Sequence, residues 1–271
     1  YTHKSITTED GLELNFLYQK DSTTLYWDSL PKYTEKIFEI MNANFGKYPY
    51  KQYTVAQGGD GGMEYPMITL ITGNRSKGSL VGVTAHEAIH SWYQHLLATN
   101  EALYPWMDEG FTSYATDFVI ARIFPSSVPF KRSYGSYFSL VKSGKQEALS
   151  THADHYNTNR AYGVASYSMG LIFLNQLDYI LGNEVFMKGM RRYFNEWKYK
   201  HPTPMDFIRV MEKESSIELK WYLKEWTETT NTIDYSIKWI TEEDKSTAVT
   251  LERIGNIPMP IDVAVKLKNG E

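Results

Sequence analysis

The sequence predicts an α+β fold, on three observations. Strand-like segments gather in the first 72 residues, helical periodicity dominates from there to residue 229, and alternation returns from Tyr235 onward. Strands grouped ahead of helices argue for a small sheet lobe followed by a mainly helical lobe. The 271 residues give room for one large domain or two smaller ones, with a real core. A formal net charge of −4 gives no reason to expect nucleic acid or an anionic membrane as a partner. Cysteine is absent, which excludes disulfides and a cysteine nucleophile. No apolar run approaches the roughly 18 residues that a membrane helix needs. A start at Tyr1 with no signal-peptide pattern, and an end in a strand-like stretch, read as a fragment or mature piece.

In chain order, Leu12, Leu14 and Phe16 alternate with polar neighbours, the pattern of a half-buried strand. Residues 29–45 read as a helix, with Pro31 near its start, Tyr33, Ile37, Ile40, Met41 and Phe45 as its apolar stripe, and Gly46 at its end. Tyr50 to Gln57 and residues 67–72 read as strands. Between them lies Gly58-Gly59-Asp60-Gly61-Gly62-Met63-Glu64-Tyr65-Pro66. On composition alone this is a flexible glycine turn. It lacks G-K-[ST] and no helix follows it directly, so it is neither a phosphate loop nor a dinucleotide fingerprint.

After a polar loop over 73–79 comes Ala85-His86-Glu87-Ala88-Ile89-His90. Val81, Ala85, Ala88, Ile89, Trp92 and Leu96 recur at helical spacing, and no proline interrupts residues 79–104. On a helix, two histidines four apart lie about one turn from each other, so both can reach one metal ion. Glu87 lies close enough to that face to act on water at the metal without ligating it. This H-E-x-x-H spacing reads as a zinc hydrolase site, although so short a string also occurs by chance. Two satisfied core histidines are the bland alternative, which leaves Glu87 beside a buried face without a partner.

Further on, residues 107–123 read as a helix with Phe111, Tyr114, Ala115, Phe118 and Val119 along one face, ended by Pro125 and Pro129. Residues 130–147 read as helical. His152-Ala153-Asp154-His155 is a polar stretch with no third ligand at useful spacing, and reads as surface. Tyr162 to Gly170 opens a helix whose apolar side is Leu171, Leu174, Leu177 and Leu181. Residues 183–199, 204–214 and 216–229 read as amphipathic helices, the middle one capped by Thr203 ahead of Pro204. Trp221 and Trp226 read as core. Strand-like alternation follows at 237–240, 249–253 and 261–266.

H-E-A-I-H, then eighteen residues, then Glu109 within Trp106-Met107-Asp108-Glu109-Gly110-Phe111, is the gluzincin pattern. The chain resembles the aminopeptidase N and leukotriene hydrolase family of zinc metallopeptidases, whose W-L-N-E-G-F is similar to W-M-D-E-G-F here. The resemblance spans most of residues 1–240. It implies a thermolysin-like catalytic domain over 21–235, preceded over 1–20 by the end of a β-rich domain or a linker strand and followed over 236–271 by the start of a β-sandwich. It implies one zinc ion per chain, on His86, His90 and Glu109, with the fourth position free for water. Glu87 is then the general base. Gly61-Gly62-Met63-Glu64-Tyr65 includes a match to the family's G-A-M-E-N signature, with Gly62 in place of Ala and Tyr65 in place of Asn. By that match Glu64 meets the substrate's free α-ammonium, and Gly61, Gly62 and Met63 lie along the substrate. The family's Y-x-K-G is matched in part, by Tyr167 and Gly170 with Met169 replacing Lys. Tyr167 is then the oxyanion donor and Tyr162 a neighbour lining the site. The implied activity is removal of N-terminal residues from peptides with a free N-terminus. A thermolysin-type endopeptidase, an epoxide hydrolase on the same zinc, and a scaffold that has lost catalysis are the alternatives. The glycine-flanked Glu64 argues against the first, and the intact ligands and Glu87 against the last.

Overall fold

The computed structural model describes residues 1–244 and 246–266. Strands β1 (Thr2–Thr7) and β2 (Glu13–Tyr18) pair antiparallel, and Leu14, Phe16 and Tyr18 turn inward. Helix α1 (Leu30–Asn44) follows, with Pro31 in its first turn, where a missing N–H costs no helical hydrogen bond. The chain then forms β3 (Gln52–Gly58), β4 (Gly62–Tyr65) and β5 (Ile68–Thr72). The sheet order is β1-β2-β3-β5-β4, with β2, β3 and β5 parallel and β4 antiparallel to β5. The glycine stretch is therefore more than a turn: its second half is an edge strand with one side of its backbone unpaired.

Helix α2 (Lys77–His90) starts at Ser76, whose hydroxyl accepts the Ser79 amide at 3.3 Å. It packs on α1, β4 and β5. The helical spacing read from Val81 to Leu96 is met, but not by one regular α-helix. At Ser91 the helix widens into a π turn, Ser91–Leu96. Helix α3 (Pro105–Ile123) begins two residues before the expected 107, because Pro105 fits the first helical position. It is followed by α4 (Lys131–Lys142), α5 (Asn159–Gly163), a second π turn (Val164–Met169) and α6 (Gly170–Leu181). The last helices are α7 (Asn183–Trp197), α8 (Pro204–Ser215) and α9 (Lys220–Glu228). At the start of α8 the Thr203 amide donates to Asp206 Oδ2 at 2.9 Å, one half of a capping box.

The helical lobe closes around α3, which packs on α2, α6 and the second π turn. Its buried Trp106 meets Phe173 at 4.9 Å between ring centroids, and its Phe111 meets Phe207 at 4.9 Å. These aromatic contacts fix α3, and hence its first turn, against the rest of the lobe. After α9 the chain forms a hairpin of β6 (Tyr235–Glu243) and β7 (Ser246–Arg253). The strand expected at 261–266 does not form. Ile261, Val263 and Val265 are exposed and join no ladder, and alternation without a partner strand does not make a strand. Of the stretch 236–271, residue 245 and residues 267–271 lie outside the described part. Among the described residues no helix is long and apolar enough to cross a membrane.

Candidate metal centre and active site

Helix spacing and the packing of α2 on α3 bring three ligand-type side chains to one point. His86 Nε2 lies 3.2 Å from His90 Nε2 and 3.2 Å from Glu109 Oε2. His90 Nε2 lies 3.5 Å from the same oxygen. Four ligands arranged tetrahedrally at zinc bond lengths of about 2.0–2.1 Å stand roughly 3.3 Å apart. The three edges therefore fit one zinc ion, and the donor set, two imidazoles and a carboxylate, is that of a catalytic site with an open position.

The shell around these residues orients them. Asp108 Oδ1 sits 2.6 Å from His90 Nδ1, both side chains almost fully buried, and Thr112 Oγ1 lies 3.3 Å from the same nitrogen. With Nδ1 held by Asp108, the Nε2 nitrogen faces the centre. Burial lowers the His90 pKa, but the Asp108 carboxylate outweighs it and holds that pKa well above its usual value. Burial alone would raise Glu109; hydrogen bonds from His86 and His90 outweigh it and bring that carboxyl down to about 2. Glu109 is thus an anion ready to bind a cation.

Glu87 is buried beside this set. Burial pushes its carboxyl up to about 7, with His86 and His90 opposing, so it is poised to take and return a proton near neutrality. From the sheet side, Glu64 on β4 comes in. Carboxylate oxygens of Glu64 and Glu87 and a ring nitrogen of His90 all lie within 4.8 Å of one another. Burial raises Glu64 as well.

Tyr167 reaches the site through a glycine crossing. A Cβ placed on Gly110 would lie 2.6 Å from the Gly170 Cα, and one on Gly170 would lie 2.8 Å from the Gly110 Cα. The backbones of α3 and α6 therefore touch, which no other residue pair allows. This contact sets the second π turn beside the first turn of α3. The Tyr167 hydroxyl donates to Glu109 Oε1 at 2.5 Å, and its ring stacks on His86 at 5.7 Å. Burial, then the Glu109 charge, raises its pKa, so the hydroxyl stays a donor. π turns recur at functional sites because the extra residue redirects a side chain.

Of the other residues singled out, Tyr162 packs edge-on to Tyr156 at 5.6 Å, and after burial the charges of Glu109, Asp108 and Glu101 raise its pKa, which places it near the site. Gly61, at φ +77°, makes the turn into β4, and its carbonyl accepts the Thr72 amide at 2.8 Å. The Met63 side chain is half exposed, and its carbonyl accepts the Thr69 hydroxyl. His152 and His155 lie together with rings 4.8 Å apart, but neither belongs to a metal-competent cluster among the described residues. Sequence reasoning missed Asp108, Thr112 and Tyr53, whose hydroxyl donates to the Glu87 carbonyl at 3.4 Å. For Asp108 there was a signal: an acid directly preceding Glu109 in the first turn of a helix.

Residues 32–226 match the profile described as the peptidase family M1 domain. The chain belongs to peptidase family M1. It is similar to leucine aminopeptidase 2 of Chaetomium globosum, 28% identical over 160 residues, which cover 54% of this chain and 26% of that protein. It is also similar to a leukotriene A-4 hydrolase homolog of Botryotinia fuckeliana, 28% identical over 197 residues, covering 67% of this chain and 30% of that protein. Among solved structures, the M1 zinc metallopeptidase of Deinococcus radiodurans matches with a TM-score of 0.66 at 16% identity, over 82% of this chain and 49% of that one. This likeness bears on the fold, and it is to the expected α+β architecture. The M1 chain spans about a third or less of the curated relatives it matches.

Proposed function

We propose that this M1 chain is the catalytic portion, over residues 21–235, of a zinc aminopeptidase that removes N-terminal residues from peptides. In this reading 236–271 open a β-sandwich, while residues 1–20, in place of the expected end of a preceding domain, add β1 and β2 to the sheet and core of the catalytic portion. His86, His90 and Glu109 hold one zinc ion. Bound zinc supplies Lewis-acid polarisation and acidifies water. Glu87 takes the proton of the attacking water and passes it to the leaving amine. The Tyr167 hydroxyl turns from Glu109 to the oxygen of the scissile carbonyl as charge develops there. Tyr162 lines the site beside it.

The observation that carries the aminopeptidase reading is Glu64. It stands on an edge strand, within reach of Glu87 and His90, so a peptide laid along β4 with its α-ammonium on Glu64 has its first peptide bond beside Glu87. An endopeptidase has no use for a carboxylate there. The variant of the Deinococcus metallopeptidase bound to a Tyr-Ser-Ala substrate agrees with a peptide substrate. The test follows the products of an unblocked peptide incubated with the full-length zinc-loaded protein, by mass spectrometry over time. The N-terminal amino acid is expected first, with the chain shortening one residue at a time. Internal fragments at the earliest times would replace this reading with the endopeptidase one.

A further inference from the structure

Strand β4 packs on helix α2, and their contacts give the cleft a direction. Glu64 meets the histidine end of the helix: its carboxylate, that of Glu87 and a ring nitrogen of His90 lie within 4.8 Å of one another. Two residues earlier on the strand, a Cβ placed on Gly62 would stand 2.9 Å from Glu87 Cδ and 2.6 Å from Val83 Cγ2, so those side chains rest on bare backbone there. Glu87 therefore lies on the Gly62 side of Glu64. A substrate with its α-ammonium on Glu64 and its first peptide bond beside Glu87 runs toward Gly62, antiparallel to β4. An extended chain advances about 3.4 Å per residue, so three residues cover the roughly 10 Å from Glu64 to Gly61.

Arg75 stands at that far end. The Gly61 carbonyl accepts the Thr72 amide at 2.8 Å and the Thr72 hydroxyl at 3.1 Å. Arg75 Nε donates to the same Thr72 oxygen at 3.1 Å, and Arg75 Nη1 donates to Ser79 Oγ on α2 at 3.1 Å. The two hydroxyls fix the guanidinium but neutralise none of its charge. Among the described residues no carboxylate forms an ion pair with it, the neighbouring Asp60 included, and Nη2 keeps both of its N–H groups without a protein acceptor.

We propose that Arg75 is a specificity-determining residue, which receives a carboxylate carried by the third residue of the substrate. That carboxylate is the C-terminus of a tripeptide or the side chain of an Asp or Glu in a longer peptide. The planar fork of a guanidinium matches a carboxylate, and its charge is permanent. Glu64 and Arg75 then hold a short peptide by groups of opposite charge, with the first bond set on Glu87 between them.

This inference rests on the proposed placement of the α-ammonium on Glu64. It is tested on the full-length zinc-loaded protein and its Arg75→Gln variant, with two matched pairs of unblocked peptides. One pair is a tripeptide with a free or an amidated C-terminus. The other is an amidated hexapeptide with Glu or Gln as its third residue. On the wild type, the carboxylate-bearing member of at least one pair is expected to have the higher kcat/KM by about fivefold or more, the gain lying in KM. In Arg75→Gln that ratio is expected to fall below about twofold. A preference in the tripeptide pair assigns the C-terminal carboxylate, and one in the hexapeptide pair assigns the side chain. Equal rates within both pairs on the wild type, or a preference that survives Arg75→Gln, would overturn the role of Arg75 while leaving the aminopeptidase reading in place. Internal cleavage of these peptides would overturn that reading instead. If Arg75→Gln does not fold, the ratios are read on Arg75→Met, whose apolar stem is closer in length.

Discussion

Glu87→Gln is expected to keep zinc and lose kcat by at least about 10²-fold. The amide preserves the volume beside Gly62 and Val83 and can still hydrogen-bond, but it cannot accept the water's proton at neutral pH. The case is sharp because the carboxyl is buried and held up at about 7, where a base near the working pH is most effective. The charges that oppose the effect of burial on Glu87 are those of the two site histidines. The measurement is kcat beside metal content in the same preparation. A zinc-loaded variant with near-normal kcat would remove Glu87 from the chemistry.

Glu109→Ala is expected to weaken zinc binding by more than about 10²-fold, and turnover with it. Loss of a residue that merely orients a ligand costs 10–100-fold in affinity, so loss of a ligand should cost more. The substitution leaves His86 and His90 with their nitrogens 3.2 Å apart and no anion between them. It also frees the Tyr167 hydroxyl from its 2.5 Å partner. Metal analysis after equilibrium dialysis against a competing chelator reads the effect. Stoichiometric zinc retained at wild-type affinity would mean that Glu109 is not the third ligand.

What could be read from the sequence was what is local. His86 and His90 follow from the rise of a helix, and the burial of Glu87 follows from sharing their face. Glu109 was legible through its eighteen-residue spacing and the W-M-D-E-G-F string around it, because no periodicity in α3 marks that carboxylate as turned toward α2. The edge-strand character of Gly62–Tyr65 was hidden by composition: four glycines read as a turn, and the pairing of Glu64 with Thr69 that makes the strand is a tertiary fact. The two π turns were illegible, since one extra residue shifts the apolar period without erasing it. The Gly110–Gly170 contact joins residues 60 apart and carries no local signal, yet it sets Tyr167 on Glu109. The alternation at 261–266 misled in the opposite direction, being a strand pattern with no strand beside it.

The most direct test of the aminopeptidase reading is kcat/KM for a matched pair of peptides, one free and one N-acetylated, on the full-length protein and its Glu64→Ala variant. Glu64 is a partly buried carboxylate raised by burial and by the charges of Asp108 and Glu109, with His90 opposing, so a cationic substrate group is a favourable counter-ion. Acetylation removes that group and leaves the carboxylate unpaired. The free peptide is expected to exceed the acetylated one by at least about 10²-fold on the wild type, and Glu64→Ala is expected to narrow the gap mainly by slowing the free peptide. Equal rates for both peptides on the wild type would contradict the account.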